Sequence, residues 1–365
     1  MSRAWIEVDR SAIAENAKTL RGLTDGSQLC GVVKANGYGH GAVTAAEGCL
    51  AGGADFLAVA QVAEGVELRA AGIDGPIWIL SEPEPQEFAT AAANRLEPAV
   101  YSERGITAAE DAGPMTVHLL VDSGMNRSGH RWETAPPMAE RIDRSGRITL
   151  GSVWTHLAVA DEPGEPFTDT QLDRFDEAVA AIEQRGIAIP FTHTANSGAT
   201  VGVPRAHRDV VRPGLSLYGI EPSPDMSGLV PLRPAMRLVT RVAYVKRIDA
   251  DDVVGYGCKG RVDGPTTAAT IPIGYADGIR RESWERGGAA LVNGERMPFL
   301  GRVSMDQIVL NCGDHDVAAG DEVVLIGSQG GRSISVESIA ADLGTISNEV
   351  VCDLGRRLDR VPIDR

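Results

Sequence analysis

A parallel β/α barrel followed by a mainly β domain is the fold class this sequence predicts, and three observations predict it. Short β-branched runs alternate with helical patterns through about the first 220 residues. Several of those runs are nearly all apolar, as a sheet buried on both faces requires. After about residue 230 the alternation stops, and strand-and-turn patterns take over.

The strand-like runs are, in order, QLCGVVK, DFLAVA, PIWIL, a weaker LEPAV, TVHLLVD, GSVWTHL, PFTHT and DVVRPGLSLYG. Eight strands with intervening helices favour a closed barrel over a doubly wound sheet. The clearest helix lies over 168–186: Thr168 and Gln171 suggest a capping box, Leu172, Phe175, Val179 and Ile182 recur at steps of three and four, and Gly186 closes the segment. EPSPDMSGLVPLRP, with four prolines between Pro222 and Pro234, is the natural junction. It divides the chain into a barrel over 1–230 and a β domain over 231–365, with the extreme N-terminal strand available to pack on the second domain. Beyond the junction come RLVTRVAYVKRI, TTAATIPI, an Asn-Gly turn inside ALVNGERMPF, VSMDQIVL and DEVVLIG. A chain of 365 residues exceeds one ordinary core, in keeping with two domains.

Composition narrows the function. A formal charge of −15 argues against nucleic acid, whose binding needs clustered Lys and Arg. MSRAWIEVDRSAIAENAK has no uninterrupted apolar core of signal-peptide length, and no later segment reaches the span of a membrane helix, so a cytoplasmic protein is expected. The five cysteines are odd in number, widely spread and free of any CxxC pair, so they signal neither a disulfide framework nor zinc. GYGHGA lacks GxGxxG spacing, no P-loop motif appears, and the seven histidines form no HExxH or HxH pair. No metal site is expected.

What remains is Lys34 in VVKANGYGHGA, at the C-terminal end of the first barrel strand, where barrel active sites are built. Alone, a lysine beside a glycine-rich turn reads more readily as a surface residue. Its company changes that reading: His156 ends the sixth run, His193 and Ser197 follow the seventh, and Arg212 and Gly214 lie in the eighth. One barrel mouth would hold them all. An amine, a hydroxyl, a glycine-bordered turn and an arginine facing one cavity suit a phosphorylated carbonyl cofactor such as pyridoxal 5'-phosphate, with the lysine as its covalent amine partner.

The ordered motifs AWIEVD, VVKANGYGHGA, VDSGMNRSG, THLAVAD, HTANSGAT, VVRPGLSLYG, VGYGCKG, IPIGYADG, GRVSMDQIVL and ISNEVVC span nearly the whole chain and resemble the alanine racemase family. That resemblance implies a pyridoxal-phosphate-dependent isomerase that interconverts L- and D-alanine with two proton carriers. Lys34 would be one and Tyr256 the other. Inversion removes a proton from one face of a planar α-carbon and returns one to the opposite face, which a single base cannot do. The resemblance gives Arg127 the substrate carboxylate and the role of holding down the tyrosine pKa, and Arg212 the pyridine nitrogen. A guanidinium only donates, so that nitrogen stays unprotonated and electron withdrawal is restrained. His156 and His193 would orient Arg212, a structural histidine being the alternative for each. Tyr38, Ser197 and the amides near Gly214 and Leu215 match the phosphate cradle. Met305, Asp306 and Tyr275 match residues that a partner subunit contributes at the substrate end, so a homodimer with composite sites is implied.

Two positions depart from the family pattern. Where many members carry a carbamylated lysine that orients the arginine, this chain has Leu120. Arg127 must then be held otherwise, by a bound anion or by Asn126. Where a tyrosine usually narrows the pocket, this chain has Asn348, a position at which related serine racemases of this fold resemble it. Serine is therefore expected as a second substrate, with a serine or broad-specificity racemase as the alternative reading. A pyridoxal-phosphate-dependent decarboxylase shares the barrel and lysine but needs no proton carrier on the tyrosine side. A non-catalytic carrier of the same cofactor would lack the second domain.

Overall fold

The computed structural model describes residues 3–365. Two units divide the chain. The first comprises the N-terminal segment through Arg10, Gly39–Gly41 and Pro234–Arg365, and the second comprises Ser11–Tyr38 and Ala42–Arg233. The opening strand β1 (Ala4–Asp9) belongs to the first unit, where it lies in the large sheet described below.

The second unit is the nearly closed parallel barrel expected from the sequence. Its strands are β2 (Gln28–Val32), β3 (Phe56–Val59), β4 (Ile77–Ile79), β5 (Leu96–Val100), β6 (Met115–Asp122), a two-residue β7 (His130–Arg131) beside β6, β8 (Ile148–Trp154), β9 (Phe191–His193) and β10 (Val210–Val211). The eight main strands neighbour one another in the order β10-β2-β3-β4-β5-β6-β8-β9. The seam between β9 and β10 is bridged by the Arg212 amide donating to Ala195 O at 2.9 Å. The Asp209 carboxylate also accepts from Thr192 N and Oγ1, both at 2.7 Å.

Strand alternation sorts the residues between two environments, since successive side chains point to opposite faces. On β6, Val117, Leu119 and Val121 pack outward with Ile106, Met138, Ile142, Phe175 and Ile182 from the surrounding helices. The intervening His118 and Leu120 face the barrel interior. There Leu120 joins Ala99 and Trp154, while Trp78 of β4 stacks on His193 of β9 at a centroid distance of 4.9 Å. Those two strands are not neighbours in the sheet, so the rings meet across the lumen. The stack continues from Trp78 to Phe56 at 4.5 Å, and Phe191 meets Phe56 edge-on at 5.7 Å.

One element differs from its expected form. The helix Phe167–Glu183 starts after Pro166, so Thr168 and Gln171 lie within it and are buried rather than capping it. Gln171 instead accepts from Ala158 N at 2.8 Å and donates to His156 O at 3.1 Å. Gln171, one turn into the helix, thus fixes the loop that carries His156. Short spacing alone does not separate those two uses.

In the first unit, β1 pairs antiparallel with β11 (Met236–Arg241) and parallel with β19 (Asp359–Ile363). Counting β12 (Tyr244–Ile248), β13 (Thr266–Ile271), β14 (Ala289–Val292), β15 (Glu295–Pro298), β16 (Ile308–Asn311), β17 (Glu322–Gln329) and β18 (Arg332–Ile334), the strands form one sheet ordered β15-β14-β17-β11-β1-β19 with β18 on β17. A second sheet is ordered β12-β13-β16. The Asn-Gly turn joins β14 to β15 with φ of 51° at Asn293 and 81° at Gly294, the paired positive values that a two-residue hairpin needs.

Candidate active site

Lys34 lies two residues past the end of β2 and opens a turn in which five consecutive residues, Ala35 to Gly39, have φ between 50° and 78°. Glycine adopts such angles at no steric cost, whereas Ala35, Asn36 and Tyr38 do not. The surroundings hold them there. Glu64 Oε1 accepts from Ala35 N at 2.6 Å, Asn36 Oδ1 accepts from Ala42 N at 2.9 Å, and Gly37 N donates to Val33 O at 2.9 Å. A side chain at Gly37 would meet the Ala45 methyl at 2.8 Å, which explains the glycine. The left-handed turn drops Tyr38 into a buried slot, with its ring 5.3 Å from that of Tyr218. The Tyr218 hydroxyl in turn donates to Val32 O at 3.0 Å.

The slot ends at Gly214, where any side chain would collide with the Tyr38 hydroxyl. Ser197 completes a cradle from the other side. Its Oγ accepts from Gly214 N at 2.9 Å and from Ser216 N at 3.3 Å, with the Leu215 amide between them in the chain. Two accepted bonds leave the Ser197 proton to donate. Hydroxyls of Tyr38 and Ser197 beside a run of amides make an anion-sized donor set, and only glycine at 214 leaves room for it.

Arg212 is 3% exposed, and burial lowers its pKa to about 10, so it stays charged at neutral pH. Its Nη1 donates to His193 Nδ1 at 2.6 Å, and its Nη2 reaches Thr155 O at 2.9 Å and Thr194 O at 3.4 Å. The guanidinium also lies 4.8 Å above the ring centroid of Trp154. His193 therefore orients the arginine as expected. His156 does not: among the described residues its ring makes no hydrogen bond, and Arg212 acts on it only through its charge.

Arg212, Arg127 and Lys34 all lie close enough to His156 for their charges to act on its ring. Some of its surface remains accessible at the cavity, yet burial and then the charges of Arg212, Arg127 and Lys34 push its pKa down to about 3. Burial followed by Arg212 and His118 depresses His193 as well. Unfolded, both rings would titrate near 6.5, so between that value and about 3 the unfolded chain binds up to two more protons. Stability from these groups is present above pH 6.5 and lost as pH falls. The slope approaches about 2.7 kcal/mol per pH unit for two protons. Urea unfolding from pH 7 to 5 at fixed protein concentration should show it, and His156→Asn should remove about half of the slope.

Arg127 lines a narrow cavity of about 20 Å³ with Leu120, Met125, Trp154, Thr155 and His156. Leu120 has become part of an apolar cluster with Ala99, Trp154, Leu80 and Tyr101. Asn126 makes no hydrogen bond to Arg127; its side-chain amide donates to Gly124 O at 2.9 Å and its backbone amide to Asp122 Oδ1 at 3.0 Å. Among the described residues no hydrogen bond or ion pair reaches the Arg127 guanidinium.

The remaining candidates lie in the first unit. Tyr256 is 68% exposed, in a loop pinched by reciprocal bonds between Val254 and Gly260 and bordered by Gly255 and Gly257 at φ of 73° and 74°. Met305 and Tyr275 are also exposed, and they are neighbours: Tyr275 N donates to Ser304 O and Ala276 N to Met305 O, both at 3.0 Å. Asp306 accepts from Arg357 at 2.7 Å, and Arg357 also pairs with Asp277 at 3.3 Å. Asn348 is half-buried in the first turn of the helix Ser347–Cys352, next to Glu349, which pairs with Arg280 at 2.7 Å. Sequence alone does not mark Arg357, Thr155 or Thr194; the two threonines act through main-chain carbonyls, which leave no residue signature.

A barrel whose strand ends bring together a lysine, an anion cradle and a buried arginine defines an α/β-barrel enzyme with a joined β domain. Comparison with known proteins agrees throughout. Residues 8–222 match the family model "Alanine racemase, N-terminal domain", and residues 235–362 match "Alanine racemase, C-terminal domain". The alanine racemase of Nostoc sp. is 38% identical over 99% of this chain and 96% of its own length, and that of Symbiobacterium thermophilum is 39% identical over 99% and 97%. Among solved structures, the alanine racemase of Streptomyces coelicolor A3(2) superposes with a TM-score of 0.93 at 36% identity, covering 100% of this chain and 98% of the other. The Bacillus anthracis alanine racemase with bound L-Ala-P gives 0.93 at 34% identity, covering 100% and 95%. The chain belongs to the alanine racemase family.

Proposed function

We infer that this chain interconverts L- and D-alanine, accepts serine as well, and works as a homodimer with pyridoxal 5'-phosphate in the barrel mouth. The observation that carries the reading is the convergence of Lys34, the Tyr38–Ser197 cradle and Arg212 at one set of strand ends. When bound, the cofactor supplies electron withdrawal that makes the substrate α-hydrogen acidic. The protein does the rest. Lys34 Nζ holds the cofactor and then moves a proton at one face of the substrate α-carbon. Tyr38 and Ser197 hydroxyls and the amides near Gly214 and Leu215 would bind the phosphate. Arg212 donates to the ring nitrogen and, being unable to accept or readily lose a proton, keeps that nitrogen unprotonated. Return of the proton is then favoured over side reactions.

Tyr256 Oη serves the opposite face from a second copy of the chain, with Tyr275, Met305 and Asp306 beside it. Tyr256, Tyr275 and Met305 are all exposed in this chain and so accessible to a second copy. Arg127 takes the substrate carboxylate and lowers the tyrosine pKa. Among the described residues no helix is long and apolar enough to cross a membrane, and we place the enzyme in the cytoplasm.

Serine acceptance rests on Asn348, which is shorter than the usual tyrosine and leaves a hydrogen-bonding group near the substrate β-carbon. Separate incubation with L-alanine and L-serine in deuterated water should give α-deuterated D-product from both, read by chiral chromatography and mass spectrometry. Asn348→Tyr should lower the serine-to-alanine ratio of kcat/KM by roughly 10–100-fold, the range for one pocket group against a hydroxyl. An unchanged ratio would end the serine reading. Deuterated amine without a carboxyl group would mean decarboxylation instead, and no turnover at all would leave only cofactor carriage.

A further inference from the structure

Four hydrogen bonds in series join Arg212, at the barrel mouth, to Glu97, near the start of β5. Arg212 Nη1 meets His193 Nδ1 at 2.6 Å, and His193 Nε2 meets Ser152 Oγ at 2.8 Å. Ser152 Oγ meets His118 Nδ1 at 2.7 Å, and His118 Nε2 meets Glu97 Oε2 at 3.1 Å. The first four residues are buried, at 4% exposure or less, whereas Glu97 retains contact with solvent. The side chains come from β5, β6, β8, β9 and the segment after β10, so the chain of bonds crosses the barrel interior.

Chemistry at the two ends fixes its direction. A guanidinium can only donate, so His193 Nδ1 carries a lone pair and its proton sits on Nε2. A carboxylate can only accept, so His118 carries its proton on Nε2 and has a bare Nδ1. Ser152 then accepts from His193 and donates to His118. This assignment satisfies every bond with both rings neutral. A proton added to His193 Nδ1 would face the arginine donor, and one added to His118 Nδ1 would leave the Ser152 proton no place in the chain. The His193 ring is also clamped, stacked between Trp78 at 4.9 Å and 18° and Trp154 at 5.5 Å and 17°. Neither tautomer nor tilt is free.

We propose that Glu97, His118 and Ser152 are positioning residues: the one-way chain anchored on the Glu97 carboxylate fixes His193 as a hydrogen-bond acceptor and so holds the Arg212 guanidinium in one orientation. Three of the five N–H groups of Arg212 are taken by His193, Thr155 and Thr194. The remaining two are those available to a cofactor ring, and this last link rests on the assignment of Arg212 to the ring nitrogen. A purely structural role would not require such a chain, since the neighbouring interior positions Leu120 and Trp154 fill space with apolar atoms. A polar network inside a barrel is costly unless its members are satisfied, and here both nitrogens of each histidine ring and the Ser152 hydroxyl are bonded.

The test uses holoenzyme labelled with ¹⁵N-histidine, in which two-bond ¹H–¹⁵N correlations report tautomers. Wild type should show His193 and His118 neutral and protonated on Nε2. Glu97→Leu should bring a second form of His118 into view and lower kcat three- to tenfold with KM within twofold. Glu97→Gln, whose amide oxygen still accepts, should restore both. His118 or His193 protonated on Nδ1 in wild type would overturn the proposal, and that spectrum needs no variant to fold. So would wild-type kcat in a folded Glu97→Leu enzyme, or equal losses in Glu97→Leu and Glu97→Gln with unchanged histidine signals. The absorption band of the bound cofactor separates the two assignments. If the histidines and kcat respond as expected while the band stays fixed, the relay to Arg212 stands and the place of Arg212 at the ring falls.

Discussion

Tyr256→Phe should lower racemisation in both directions by roughly 10²–10⁴-fold, the usual contribution of a positioned acid or base. Exchange of the α-hydrogen should survive for one enantiomer only. With the phenol gone, Lys34 can still remove and return a proton on its own face, so the enantiomer presented to that face exchanges into deuterated water with retention. The mirror image, whose α-hydrogen points at the missing hydroxyl, should not exchange. Lys34→Ala, which removes both the amine that holds the cofactor and the first proton carrier, should abolish exchange for both. Loss of fold does not complicate the comparison, because the ring of Tyr256 is 68% exposed and its loop is held by the Val254–Gly260 bonds rather than by the hydroxyl. Proton NMR of each enantiomer with chiral analysis reads both quantities. Continued exchange of both enantiomers in Tyr256→Phe would remove the phenol from the mechanism.

How far such a site is legible in sequence depends on whether its logic is local. The barrel strands announce themselves through continuous apolar runs, and Lys34, Ser197, Arg212 and Gly214 follow those strands at the end where function sits. The glycines around Tyr38 signal a special backbone, although only the structure shows that non-glycine residues share the left-handed turn. Glu97, His118 and Ser152 stayed hidden because each is a single polar residue at an inward position of a different strand. Their meaning lies in a register that brings residues 97, 118, 152 and 193 together, and no linear spacing encodes it. Thr168 and Gln171 illustrate the converse: a local pattern that reads as a cap lies inside the helix, and Gln171 instead ties the loop at His156. Leu120 lies between these cases. Its loss of a carbamate is evident in the sequence, while its place in an apolar cluster with Ala99 and Trp154 requires the fold.

Arg212→Leu should destabilise the holoenzyme by about 3–5 kcal/mol, because the substitution leaves buried acceptors with no donor at about 1–3 kcal/mol each. Those acceptors are His193 Nδ1, Thr155 O and Thr194 O, at 2.6, 2.9 and 3.4 Å from the guanidinium. Leucine resembles the packing of the side-chain stem but supplies none of the donors, and Thr155, His193 and Thr194 are all buried. Arg212→Lys should recover only part of the loss, since a single ammonium cannot span a ring nitrogen on one side and two carbonyls on the other in the planar fork that arginine presents. Arginine is tolerated here, although burial lowers its pKa to about 10, because that value still leaves it charged throughout the neutral range. The neutral His193 beside it, held as an acceptor between two indoles, lets a cation persist without a carboxylate in direct contact. Urea unfolding of wild type and both variants at one protein concentration gives the comparison. A loss below about 1 kcal/mol in Arg212→Leu, within the range of a single net hydrogen bond, would mean that the acceptors find other donors and that the arginine does not organise the barrel mouth.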